Sequence, residues 1–223
     1  MTKPSARIGM FAAGMLLLAA ATSRGAEAAS VSLTVTDSNG HALADAVVSV
    51  TPVIKGVAAP TGPFATPANA VIDQRNETFI PYVIAIRRGG TVSFRNSDQT
   101  RHHVYSFAPI KQFEYVLKPG EASPPVVFDK PGIVVLGCNI HDQMIAYVDV
   151  TDAPWVTITT TSGVARIDGL PPGDFVLTIW HPLIRPGVAP PTRTVLLPAE
   201  DSTSTVAVAI DPPHPRDDDS GAN

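Results

Sequence analysis

Three side chains able to hold a soft metal ion stand within one seven-residue stretch of this sequence. In "VVLGCNIHDQMIAYVDV", residues 134 to 150, Cys138 is followed by His141 and then by Met144. Upstream, "NSDQTRHHVYSF" (96 to 107) sets His102 and His103 side by side at the start of a strand-like run. A thiolate, one or two imidazoles and a weak thioether suit copper. One Cys and two His in a plane, with a distant axial Met, make an electron-transfer site. Cys138 is the single cysteine of the chain, so it serves no internal disulfide. It can be an inert buried thiol, half of an intermolecular disulfide, or a metal ligand. A buried thiol is the ordinary reading of a cysteine taken alone. The company of His141 and Met144, with the histidine pair upstream, favours the ligand. A Cys–His nucleophile is the enzymatic alternative, but no third orienting group or oxyanion hole accompanies it, and a non-enzymatic role is expected.

The elements that must position these donors read as β-strands. Period-two runs recur between turn residues: 31–35, 46–51, 82–86, 91–94, 103–107, 113–117, 125–128 and 132–138, then 155–160, 165–168, 175–180, 193–197 and 205–210. Such alternation marks antiparallel strands with one buried face, and Asn39-Gly40 is a strong hairpin signal. The 22 prolines and 16 glycines, with no amphipathic helix, point to an all-β chain of one or two sandwiches. "GVAAPTGPFATPANA" (56 to 70) reads as a loop or linker. In this frame Cys138 ends one strand, the loop folds His141 back, and Met144 begins the next strand. Because neighbouring strand residues face opposite ways, only one of His102 and His103 can look into the site.

Residues 1–28 have the parts of a secretory signal: Lys3 and Arg7, an apolar run from Ile8 to Ala21, and "AEA" at Ala26 to Ala28. Export to a bacterial periplasm is expected. No later run approaches the roughly 20 apolar residues of a membrane-spanning helix, so no integral membrane segment is expected after signal removal. Without its signal the chain keeps Met144 as its one methionine and has 13 basic against 19 acidic residues, a net charge of −6. No basic patch argues for nucleic acid. The end, residues 213–223, has nothing to bury and reads as a disordered tail. His41 and His214 read as solvated, and His181 as a loop or core residue.

With these residues in view, the stretch from about 70 to 150 resembles the cupredoxins of the plastocyanin and amicyanin type. The resemblance lies in "FIPYVIAIRRGGTVSFRN" (79 to 96), in Asn96 followed by the histidine pair, and in the Cys-x-x-His-x-x-Met spacing, which is that of amicyanin. "HHVYSF … GCNIHDQM" is similar to periplasmic plastocyanin-like proteins of the methylamine utilization type. The resemblance implies a Greek-key sandwich over 56–150 and one type 1 copper bound by His102, Cys138, His141 and Met144, with Nδ1 as the imidazole donor. It also implies supporting residues around the metal: Asn96, and a hydrogen bond between His103 and Asn139 tying the two ligand loops together. Arg101 and Asp142 stand where relatives carry proline, and a negative charge at Asp142 would favour Cu(II).

The flanking segments, "VSLTVTDSNGHALADAVVSVTP" and "TSGVARIDGLPPGDFVLTIWHP", resemble a carboxypeptidase regulatory-like or transthyretin-like sandwich. It would be split into 29–55 and 151–212, with the cupredoxin inserted at a surface loop. The role these resemblances imply is shuttling single electrons between a periplasmic redox donor and acceptor, with the edge of His141 as the exit. Storage or delivery of copper without electron transfer is the alternative use of the same residues. A structural or adhesive sandwich is the third class.

Overall fold

The computed structural model describes residues 29–57, 65–185, 187–197 and 201–210. The expected signal, the expected tail and His214 lie outside the described residues. Sixteen strands and no helix make up the described chain, so the fold is all-β. Among the described residues no helix is long and apolar enough to cross a membrane.

Nine consecutive strands build the first sandwich: β3 (Asn69–Arg75), β4 (Thr78–Ile80), β5 (Val83–Arg87), β6 (Gly90–Asn96), β7 (His102–Ala108), β8 (Lys111–Leu117), β9 (Val126–Phe128), β10 (Gly132–Cys138) and β11 (Ile145–Thr151). One sheet runs β5-β11-β10-β7-β8 and the other β4-β3-β6-β9. The chain crosses between them after β4, β5, β6, β8 and β9, a Greek-key path, and β3–β6 and β5–β11 pair in parallel. Alternation decides the core. Val134, Leu136 and Cys138 of β10 face inward, as do Val104 of β7 and Ala146 and Val148 of β11, against Ile72, Phe79, Phe94 and Phe128. Each of the valines, leucines, isoleucines and phenylalanines among them contributes roughly 1.5–3 kcal/mol when fully buried.

The second sandwich is made from both ends of the described chain: β1 (Ala29–Asp37), β2 (Val47–Pro52), β12 (Trp155–Ile158), β13 (Val164–Leu170), β14 (Gly173–Trp180), β15 (Thr192–Leu197) and β16 (Ser202–Val208). Its sheets run β13-β1-β16 and β12-β2-β14-β15. Trp155 and Phe175 meet edge to face in its core, ring centroids 5.8 Å apart. His181 is buried, its Nε2 3.0 Å from the Ala44 carbonyl. His41 is exposed, with Nδ1 3.0 Å from Asp37.

The two sandwiches meet sheet against sheet. The strand positions that do not enter either core turn toward each other, so Val47 and Val156 pack with Val83 and Ala85, flanked by Tyr82, Tyr147 and Trp180. Beside this contact a cleft of about 460 Å³ is lined by Ser49, Thr51, Ile133, Asp149, Thr178 and Trp180. Asp149 is buried there, and burial pushes its carboxyl up to about 6.

One segment differs from the sequence reading. The expected linker 56–70 already enters β3 at Asn69, and β3 and β4, unread in the sequence, form a hairpin through Asn76 and Glu77. Both turn residues have positive φ, 52° and 54°. A two-residue turn of that kind normally shows itself by glycine at its second position. Here glutamate occupies that position, which hides the hairpin.

Candidate metal centre

His102 opens β7, and the alternation of that strand turns it inward with Val104 and Ser106 until its side chain is fully buried. Cys138 ends β10, whose last residues pair with β7 as Gly137 to Tyr105 and Cys138 to Val104. Glycine at 137 leaves room for the Tyr105 ring. A Cβ there would lie 2.7 Å from Cζ of Tyr105, whose ring covers the backbone. Beyond Cys138 the chain makes a turn closed by the N–H of Met144 donating to the carbonyl of His141 at 3.0 Å. The turn swings His141 back over Cys138 before β11 begins.

The result is a compact donor cluster. One ligand atom from each of His102, Cys138 and His141 lies within 4.8 Å of the others. Sγ of Cys138 is 3.7 Å from Nδ1 of His102, and the two imidazole centroids are 5.1 Å apart. Met144 is buried in the same apolar cluster as Cys138. His103 faces away from these donors, its Nε2 3.5 Å from Glu114. Its tie to Asn139 is chiefly a backbone bond: Asn139 N–H donates to the His103 carbonyl at 3.1 Å, while the side chains stand 3.5 Å apart.

The β6–β7 loop is shaped by Asn96, which is fully buried. Its Nδ2 donates to the carbonyls of Thr100 and Leu117, at 2.8 and 2.9 Å, and its Oδ1 accepts from the N–H of Asp98 at 2.9 Å. The bond at 98 brings a residue the sequence reading passed over into the site. The Asp98 carboxylate lies 2.7 Å from Nε2 of His102 and accepts the N–H groups of Asn76 and Glu77. Burial pushes the Asp98 carboxyl up. The Glu77 N–H, the His102 ring and the Asn76 N–H outweigh it and hold the carboxyl below its ordinary value. Glu77, likewise unread, approaches Nε2 of His141 to 3.5 Å. Asp142, the acidic residue the sequence had singled out, is exposed on the loop. Four-residue spacing from Asp98 to His102 was the one available signal. It carries little weight in a loop.

The donor atoms fit a transition metal. With Nε2 of His102 committed to a carboxylate, its Nδ1 lone pair is left facing the thiol. Nδ1 of His141 is buried and has no hydrogen-bond partner, a costly state for a polar atom unless something binds it. One soft sulfur and two imidazole nitrogens prefer copper, zinc or iron to hard cations. Of these ligands His141 alone reaches the surface, with 19% of its side chain exposed against none for His102.

No family model matches the chain, and no curated protein does. Among solved structures it is similar to a copper-containing nitrite reductase from Thermus scotoductus SA-01, at 27% identity and a TM-score of 0.35, over 46% of this chain and 25% of that one. The chain thus spans a quarter of that enzyme's length. It is also similar to a purple cupredoxin from Nitrosopumilus maritimus, at 23% identity and a TM-score of 0.33, over 37% and 99% of the two chains. A mutant of amicyanin in its reduced Cu(I) form matches at 20% identity and a TM-score of 0.35, over 46% and 99%.

Proposed function

We propose that this chain is a type 1 copper protein that passes single electrons between redox partners outside the cytoplasm. The observation that carries the proposal is the meeting of the Cys138 thiol with two imidazoles: Nδ1 of His102 faces the thiol at 3.7 Å, and Nδ1 of His141 is buried with no hydrogen-bond partner. His102, Cys138 and His141 would hold the copper, with Met144 as the weak fourth donor. Bound copper supplies one-electron exchange between Cu(I) and Cu(II). The residues supply the rest. The ladder between β7 and β10 holds His102 and Cys138 in fixed register, and close packing around them resists the rearrangement a change of charge would otherwise demand. Burial of Cys138 and His102 excludes water, and the partly exposed ring of His141 is the route to a partner.

The strand ladders form within each sandwich. That supports reading 56–150 as the copper unit, inserted into a sandwich made of 29–55 and 151–212. Export by the N-terminal signal belongs to the same proposal.

The test is the visible spectrum of the purified protein after one equivalent of Cu(II), beside Cys138→Ser. An intense thiolate-to-copper band, absent in the variant and bleached reversibly by reductant, supports the proposal. Copper bound without that band, or with no reversible bleaching, overturns electron transfer in favour of storage or delivery. Turnover of nitrite by the loaded protein would overturn the carrier role.

A further inference from the structure

Glu77 of the β3–β4 turn and Asp98 of the β6–β7 loop are 21 residues apart in sequence, yet together they present a carboxylate to the outer nitrogen of each imidazole. Asp98 sits 2.7 Å from Nε2 of His102, and Glu77 sits 3.5 Å from Nε2 of His141. Asp98 also joins the two. Its Oδ1 and Oδ2 accept the N–H groups of Asn76 and Glu77, the two turn residues with positive φ. Left-handed backbone costs a non-glycine residue roughly 1–2 kcal/mol, and glycine at 77 would avoid that cost. Glutamate is there instead, on a turn held in shape from below by Asp98, with its side chain steadied by Gln143 Nε2 at 3.4 Å.

We infer that Asp98 is a positioning residue of the metal centre. Its carboxylate fixes His102 as the Nε2–H tautomer with a bare Nδ1 toward Cys138, and anchors the turn that sets Glu77 against His141. The inference rests on the copper reading of the site and deepens it. A ligating histidine whose outer N–H is bonded to a carboxylate is a better donor, held at one ring angle. The fixed negative charge also favours the more positive state of a bound metal. Asp98 is therefore the half-buried charge that biases this site toward Cu(II). Asp142, exposed on the loop, is poorly placed to do so. The Asn96 side chain sets the height of Asp98 through its bond to the Asp98 N–H, so the arrangement is built from the core outward.

The experiment uses the full exported chain as wild type, Asp98→Asn and Asp98→Ala, with Glu77→Gln as a further variant on the His141 side. In the metal-free proteins, nitrogen-15 imidazole spectra read the tautomer directly. Wild type should show His102 wholly as Nε2–H. Asp98→Asn, whose amide oxygen can accept the same bond, should keep that form, and Asp98→Ala should lose it. In the copper-loaded proteins, Asp98→Asn should shift the Cu(I) to Cu(II) affinity ratio toward Cu(I) by about tenfold, a rise in potential of about 59 mV for one electron. Asp98→Ala should weaken copper binding roughly 10–100-fold. Glu77→Gln should move the potential in the same direction as Asp98→Asn and leave His102 unchanged. A wild-type His102 protonated on Nδ1, or a potential unmoved in Asp98→Asn, overturns the inference. The tautomer measurement needs no copper, so it decides the role of Asp98 even if the wild type shows no thiolate-to-copper band, the result that would sink the copper reading itself.

Discussion

Asp149→Asn should make the protein more stable at neutral pH and leave it unchanged in mild acid. Asp149 lies on the outward face of β11, opposite Ile133 of β10, and is enclosed by the second sandwich. Ser49, Thr51 and Thr178 line the cleft with it, and among the described residues no basic one does. Asp152, also lining it, is already paired with Arg88 at 3.0 Å. Burial raises the carboxyl from 3.8 to about 6. The folded protein therefore binds this proton more tightly than the unfolded chain. Stability contributed by the neutral acid is complete below pH 4, falls as the pH rises to 6, and is flat above about 7. The rise from 3.8 to about 6, at about 1.36 kcal/mol per pH unit, gives a penalty of about 3 kcal/mol at pH 7.5. Asparagine is nearly isosteric, never ionises, and can use the nearby hydroxyls. Urea unfolding of both proteins at about pH 4 and about pH 7.5 checks the reasoning. The variant should gain on the order of 1–3 kcal/mol at the higher pH, or roughly 2–12 °C in Tm by the usual scaling for this size, and nothing at the lower. An equal gain at both pH values, or no gain at pH 7.5, would refute ionisation of Asp149 as the cause.

Three further outcomes are expected. Gly90→Ala should cost about 1–3 kcal/mol in urea unfolding, because its Cβ would stand 2.6 Å from the carbonyl oxygen of Ala68 and 2.8 Å from that of Arg87, both backbone atoms that cannot swing away. Asn96→Ala should cost about 3 kcal/mol or more, since it strips buried bonds from the Thr100 and Leu117 carbonyls and the Asp98 N–H. Calorimetry should also show weaker copper binding in this variant. Asp73 is held down to about 2, first by the Arg95 side chain, whose nitrogens lie 2.8 and 3.2 Å away. That contribution is present above pH 4 and lost as the pH falls toward 2, so Asp73→Asn should flatten the acid limb of a stability profile in that window.

Much of the site was legible because it depends on local spacing. Cys-x-x-His-x-x-Met puts three soft donors in one loop wherever a strand ends at the cysteine, and Met144 has to lie near Cys138 whatever the rest of the fold does. The two-residue period of β7 made His102 and His103 face opposite ways, and burial of alternate residues in "GIVVLGC" aimed Cys138 at the core. The strand runs of both sandwiches were readable for the same reason, since one buried face imposes alternation. The β3–β4 hairpin was not. Its turn carries glutamate at a position where glycine would have marked it, and the proline-rich stretch before it masks its start.

What the tertiary structure alone decided is how distant segments meet. Asp98 and Glu77 belong to different loops, and no local pattern announces that their carboxylates converge on two imidazoles. The convergence depends on β3 lying parallel to β6 in one sheet while β7 and β10 lie in the other. The contact between sandwiches is of the same kind. Val47, Val83, Ala85 and Val156 occupy strand faces that alternation by itself would give to solvent, and Asp149 on such a face reads as an ordinary surface acid. Its burial follows from one sheet covering another, a long-range event that local periodicity does not encode.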